Sequence, residues 1–233
     1  MRAGAGAAIL GRVVSVLGPT GVKPRLRGVS HQWAFFVSMA TGIALVLAAP
    51  AGRATLAATI YAVSVAGLFG ASALYHRVPW ASDTARRWMR RIDHSMIFLV
   101  IAGTYTPFAV LALHGTLALV ILVVVWSAAL AGIVLNLAWI DAPKWLVASI
   151  YVALGWVGLS AFPQMLAHIG VTATLMVAVG GVLYTLGAIV YARQRPDPVP
   201  AVFGYHEIFH ALVILAAAVQ YAVVAFWVLP GGR

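Results

Sequence analysis

Seven long apolar runs, separated by short polar turns, leave this chain few ways to fold. They cover approximately Trp33–Ala49, Thr55–Tyr75, Ser95–Leu113, Leu117–Trp139, Trp145–Phe162, Val171–Tyr191 and Ile208–Leu229. Each is close to the roughly 20 residues that carry an α-helix across the hydrocarbon core of a bilayer. The breaks hold helix-stopping residues: Pro50-Ala51-Gly52-Arg53, His114-Gly115, Asp141-Ala142-Pro143-Lys144, and the segment from Arg193 to Pro200 with three prolines. Only 9% of residues are charged and 63% are hydrophobic, whereas soluble domains carry about 25% charged residues. The expected fold is all-α: a polytopic membrane protein, a seven-transmembrane-helix bundle over residues 31–230, with no internal repeat. Residues 1–30 are basic and rich in Gly and Ala, without the apolar run and cleavage site of a signal peptide, and read as a tail.

Charge sets the expected orientation. Of the 15 basic residues, 13 fall on the side of the N-terminus, including Lys23, Arg25, Arg27, Arg77, Arg86, Arg87, Arg90, Arg91 and Lys144. Arg53 and Arg233 alone fall on the other side. Cytoplasmic loops collect Lys and Arg, so the N-terminus is expected in the cytoplasm and the C-terminus outside, in the cell (plasma) membrane. The same rule accounts for the net charge of +10 without nucleic acid as a partner. With no cysteine in the chain, thiolate metal sites and disulfides are excluded, and any metal must be held by His, Asp, Glu or neutral oxygens. A retinal protein needs a buried lysine; Lys23 and Lys144 both lie outside the expected helices.

Ionisable residues at membrane depth are costly and mark function. Here they cluster at three helix ends: Ser72-Ala73-Leu74-Tyr75-His76 closes the second, Asp93-His94-Ser95 opens the third, and His206-Glu207-Ile208-Phe209-His210 opens the seventh. With seven crossings all three ends share the cytoplasmic face. Residues four apart share a helix side, about 6 Å apart along the axis, so Ser72 and His210 sit one turn deeper than His76 and His206. His206 and His210 then form a two-imidazole clip that His76 completes. Three nitrogens plus water is the arrangement of a catalytic zinc. Asp93 is expected to hold the bound water, and Ser72 to hydrogen-bond it or a substrate carbonyl.

Blander readings compete at several positions. Asp93 pairs with Arg90 or Arg91 in one, and Ser72 bonds its own helix carbonyl in another. Glu207 reads as interfacial, facing away from the histidine pair. His31, His114 and His168 read as hydrogen-bonded or solvated. Thr104, Tyr105 and Thr106 read as satisfying carbonyls freed by a kink at Pro107. The stretch from Arg77 to Arg91 reads as a loop that signals topology, with capture of anionic headgroups as a lesser role.

The Ser72-x-x-x-His76, Asp93-His94-Ser95 and His206-x-x-x-His210 set resembles the hemolysin III branch of the progestin and adipoQ receptor (PAQR) family. So do Lys23-Pro-Arg-Leu-Arg-Gly28 and Ile101-Ala-Gly-Thr-Tyr-Thr-Pro107. The resemblance spans about residues 23–229. It implies a seven-helix fold with zinc on His76, His206 and His210, the aspartate at Asp93 acting through the bound water, and the serine at Ser72 beside the site. Relatives often carry a further histidine where this chain has Gln220.

Three functions follow as expectations. The first is zinc-dependent hydrolysis of a lipid amide or ester, with a membrane lipid as ligand or substrate. The second is a non-catalytic sensor or receptor in membrane homeostasis, braced by structural zinc. The third is a pore, which no long polar stripe supports. A zinc transporter is weaker still, because nothing on the far side mirrors the cytoplasmic histidines. Haem on His76 and a histidine of the seventh helix is testable by colour.

Overall fold

A computed structural model of the chain describes residues 23–231. Seven helices in it are long and apolar enough to cross a membrane: α1 Val29–Ala48, α2 Arg53–Arg77, α3 Asp83–Ala112, α4 Gly115–Ala138, α5 Lys144–His168, α6 Gly170–Arg193 and α7 Tyr205–Gly231. The protein is a multi-pass membrane protein. Large apolar side chains cover its outside, with Trp33 66% and Trp145 64% exposed near helix ends, as expected where lipid rather than water is the solvent.

Helices consecutive in sequence pack together along α1–α4 and α5–α7, and α7 returns to α1. The buried share of the apolar window is 61% for α3, 50% for α2 and 44% for α7, against 22% for each of the other four. The three helices that carry the ionisable clusters are therefore the inner helices. At the crossing of α2 and α3, a Cβ on Gly103 would fall 2.1 Å from Ser64 Oγ, so the close approach requires glycine.

Contacts between turns fix both ends of the bundle. At one end Lys23 Nζ donates to His76 O (2.6 Å), the Arg25 and Leu26 amides donate to Ala201 O and Val202 O (3.0 and 3.1 Å), and Arg90 reaches Asp141 (3.0 Å). At the other, the His114 amide donates to Gln164 Oε1 (3.0 Å).

Three expectations need correction here. Helix α3 starts at Asp83 rather than near Ser95, so the stretch taken as a loop is helical from Asp83 and Asp93 lies in its third turn, not at its mouth. Ser82 Oγ caps that helix by accepting from the Ala85 amide (3.1 Å). The extension is amphipathic and rich in arginine, so an apolar-run criterion misses it. The expected tail lies outside the described residues up to residue 22. From Lys23 onward it packs on the bundle, with Arg27 buried, and α1 starts at Val29.

Two helices depart from regular geometry. After Pro107, α3 widens into a π-helical turn over Phe108–Ala112; Thr106 Oγ1 bonds Ala102 O (2.9 Å), the carbonyl one turn back on its own helix, rather than the Gly103 carbonyl that the proline leaves free. Helix α5 tightens to a 3₁₀ segment at Trp156–Ala161. There the Tyr105 hydroxyl accepts from the Gly158 amide (2.7 Å) and donates to Gly155 O (2.6 Å). Tyr105 thus serves the break in α5 rather than its own helix. Tyr105→Phe should orphan both groups and destabilise the fold by about 1–3 kcal/mol, read as a lower thermal midpoint in detergent.

Candidate metal centre

The sequence around each histidine explains why it points inward. His76 occupies the last turn of α2, which ends at Arg77. Helix α7 begins at Tyr205, and its first amides need acceptors. Glu207 Oε2 accepts from the Gly204 amide (2.8 Å) and Asp197 Oδ1 from the Tyr205 amide (2.9 Å). The other Glu207 oxygen pairs with Arg27 Nε. Glu207 is 2% exposed, so it is buried rather than interfacial. Its carboxylate is engaged by Arg27 and the Gly204 amide, and by gripping the 23–28 strap it fixes the rotation of the first turn of α7.

The three expected ligands meet. Their donor nitrogens lie within 4.8 Å of one another, and His76 Nε2 and His206 Nε2 are 3.1 Å apart. Ring centroids are separated by 4.8 Å (His76–His206), 4.5 Å (His206–His210) and 5.2 Å (His76–His210). Two nitrogens bound to one tetrahedral zinc at about 2.05 Å sit roughly 3.3 Å apart, so the trio is close enough to hold a metal ion of that size. His210 Nδ1 is buried without a hydrogen-bond partner, so the ring is not held by any protein group at that atom.

Asp93 and Ser72 join the site. Asp93 Oδ2 lies 3.9 Å from His76 Nε2, and the buried Ser72 lines the same cavity as Asp93. The competing arginine reading fails: Arg90 bonds Asp141 and Ile140 O, while Arg91 Nε bonds Leu137 O (3.0 Å). Those arginines tie α3 to the α4–α5 turn and leave Asp93 to the histidines.

His31 was missed. It is buried at 2% exposure, contrary to the solvated reading. Its ring stacks on His210 at 3.7 Å and 13°, and neither of its nitrogens has a partner. No spacing within α1 marks it, because the residues it meets are far away in sequence. At the rim, burial first and the positive charges of Arg77, Arg86 and Arg27 second push the Lys23 ammonium below its ordinary pKa.

The site opens into a cavity of about 170 Å³. His31, Ser72, Asp93, His206 and His210 line one end, and Leu113, Phe162 and Met165 line the other. Gln220 also lines it, its Oε1 unpartnered. Leu159 lines the cavity yet is 50% exposed on the outer surface, so the break in α5 is a place where the cavity nears the lipid.

Comparison with known proteins decides the relationship. The model of the "Haemolysin-III related" family matches residues 20–221. The chain belongs to this family. Within it, the haemolysin-III-related protein is 33% identical to the "Hemolysin-3 homolog" of Bacillus subtilis (strain 168), covering 72% of this chain and 76% of the relative. It is 31% identical to "Hemolysin-3" of Bacillus cereus, covering 76% and 77%. The human "Monocyte to macrophage differentiation factor" is 26% identical over 71% of this chain and 68% of its own length, which fits the PAQR resemblance.

Proposed function

We propose that this haemolysin-III-related protein is a zinc protein of membrane-lipid homeostasis that hydrolyses a lipid amide or ester. His76, His206 and His210 hold the zinc. The reading is carried by one observation: His206 and His210 of the three-histidine cluster, together with Asp93, line an apolar cavity inside the bundle, with His76 packed behind them. An all-imidazole donor set suits zinc over magnesium or calcium. Bound there, zinc supplies a Lewis acid and a water acidified to a pKa of about 7.

The chain's own groups do the rest. Asp93 takes up a proton from water, and Ser72 orients its carboxyl. The cavity seats acyl chain and excludes bulk water. His31 and Gln220, with unpartnered polar atoms in the cavity wall, anchor polar parts of the lipid. The basic end of the bundle is the cytoplasmic end, with the N-terminus inside. Asp93→Asn should retain zinc and lose about 100-fold or more in turnover of ceramide-like or phospholipid substrates, the scale of a lost general base. Zinc-loaded protein that turns over nothing on a broad lipid panel would overturn the hydrolase reading.

A sensor with structural zinc is the second reading. Its support is that the 23–28 strap, α2 and α7 are all tied together at the histidines. It expects zinc removal to lower the thermal midpoint with no chemistry lost. A pore draws on the relatives' names alone.

A further inference from the structure

The end of the bundle opposite the three-histidine centre carries two more imidazoles. His114 precedes α4, and His168 is the last residue of α5. Both are exposed. Their ring centroids are 4.5 Å apart with planes inclined by 71°. That nearly reproduces the His206–His210 pair, at 4.5 Å and 64°.

The surroundings hold this pair ready. His168 Nδ1 lies 2.8 Å from Gln164 O. A carbonyl has no proton to give, so Nδ1 carries the hydrogen and Nε2 of the neutral ring presents a lone pair. Backing of this kind is how metal-ligating histidines are oriented. The Gln164 side chain also accepts from the His114 amide (3.0 Å) and donates to His114 O (3.4 Å). One residue thus orients the His168 ring and seats the His114 backbone.

We propose that His114 and His168 form a second, exposed clip for a divalent transition-metal ion such as zinc, with water completing the coordination. Two imidazoles favour such an ion over magnesium or calcium, which prefer oxygen. The bound ion would tie the α3–α4 turn to the end of α5. Leu113 and Met165, which line the far end of the cavity, are close in sequence to these two histidines, so the ion would staple the wall there.

Calorimetric titration of the purified, detergent-solubilised full chain with zinc chloride tests this. After the three-histidine centre is filled, wild type should bind a second, weaker equivalent that excess magnesium does not displace. His114→Gln and His168→Gln should each abolish that equivalent and keep the first. Gln164→Leu should weaken it and leave the first equivalent unchanged, because the His114 backbone loses both side-chain bonds while the carbonyl behind His168 Nδ1 remains. A second equivalent that persists in both glutamine variants, or that never forms in wild type, overturns the clip. Absence of the tighter equivalent with the weaker one intact would instead count against the three-histidine centre.

Discussion

Gly28→Ala should strip the protein of metal and lower its thermal midpoint. Gly28 has φ +79°, and a Cβ there would lie 2.5 Å from the Cβ of His76. The left-handed backbone costs an L-residue about 1–2 kcal/mol, and crowding a packed site about 1–3 kcal/mol more. His76 sits at the end of α2, with the strap pressed over it by Lys23 and Arg27. Relief must lift the strap or displace the ligand. Gly52 is the control: its φ is +93°, but nothing lies within 4 Å of its Cβ position. Gly52→Ala should carry a backbone penalty and keep full metal content. Full metal in Gly28→Ala would show that the strap does not position His76.

Glu207→Leu should be the most destabilising single change at the site outside the ligands. The side chains of Arg27 and Glu207 are 7% and 2% exposed. Removing one partner of a buried pair leaves an uncompensated charge, typically at a cost of about 3–5 kcal/mol. The Gly204 amide also loses its acceptor. The double variant Arg27→Met with Glu207→Leu should recover part of the loss, because an apolar pair leaves no buried charge. Thermal unfolding in detergent reads all three proteins. A double variant less stable than Glu207→Leu would mean that the two side chains act separately.

The pattern of apolar runs revealed the number of helices and most of their limits, because a lipid-embedded helix must be apolar along its length. The start of α3 was hidden for the converse reason. Residues 83–94 lie where arginine is tolerated, so hydropathy stops early, although Ser82 and Asp83 carry a helix-start signal. The meeting of His76, His206, His210, Asp93 and Ser72 was legible from topology alone, since an odd number of crossings puts those helix ends together. His31 and the Arg27–Glu207 pair were not legible. Each depends on which way a side chain turns at a contact between distant segments, and no local spacing records that. His114 and His168 were each read rightly as exposed or hydrogen-bonded, but the expectation that nothing on the far side mirrors the cytoplasmic histidines is corrected by their pairing, which exists only once α5 is folded against the α3–α4 turn.

Three histidines from two helices are expected to hold one zinc ion. Elemental analysis of purified wild type against His206→Ala tests it most directly. Wild type should hold about one equivalent of zinc through dialysis against a weak chelator, and His206→Ala should lose it. Equal zinc content in the two proteins, or a different metal filling the wild-type site, would contradict it.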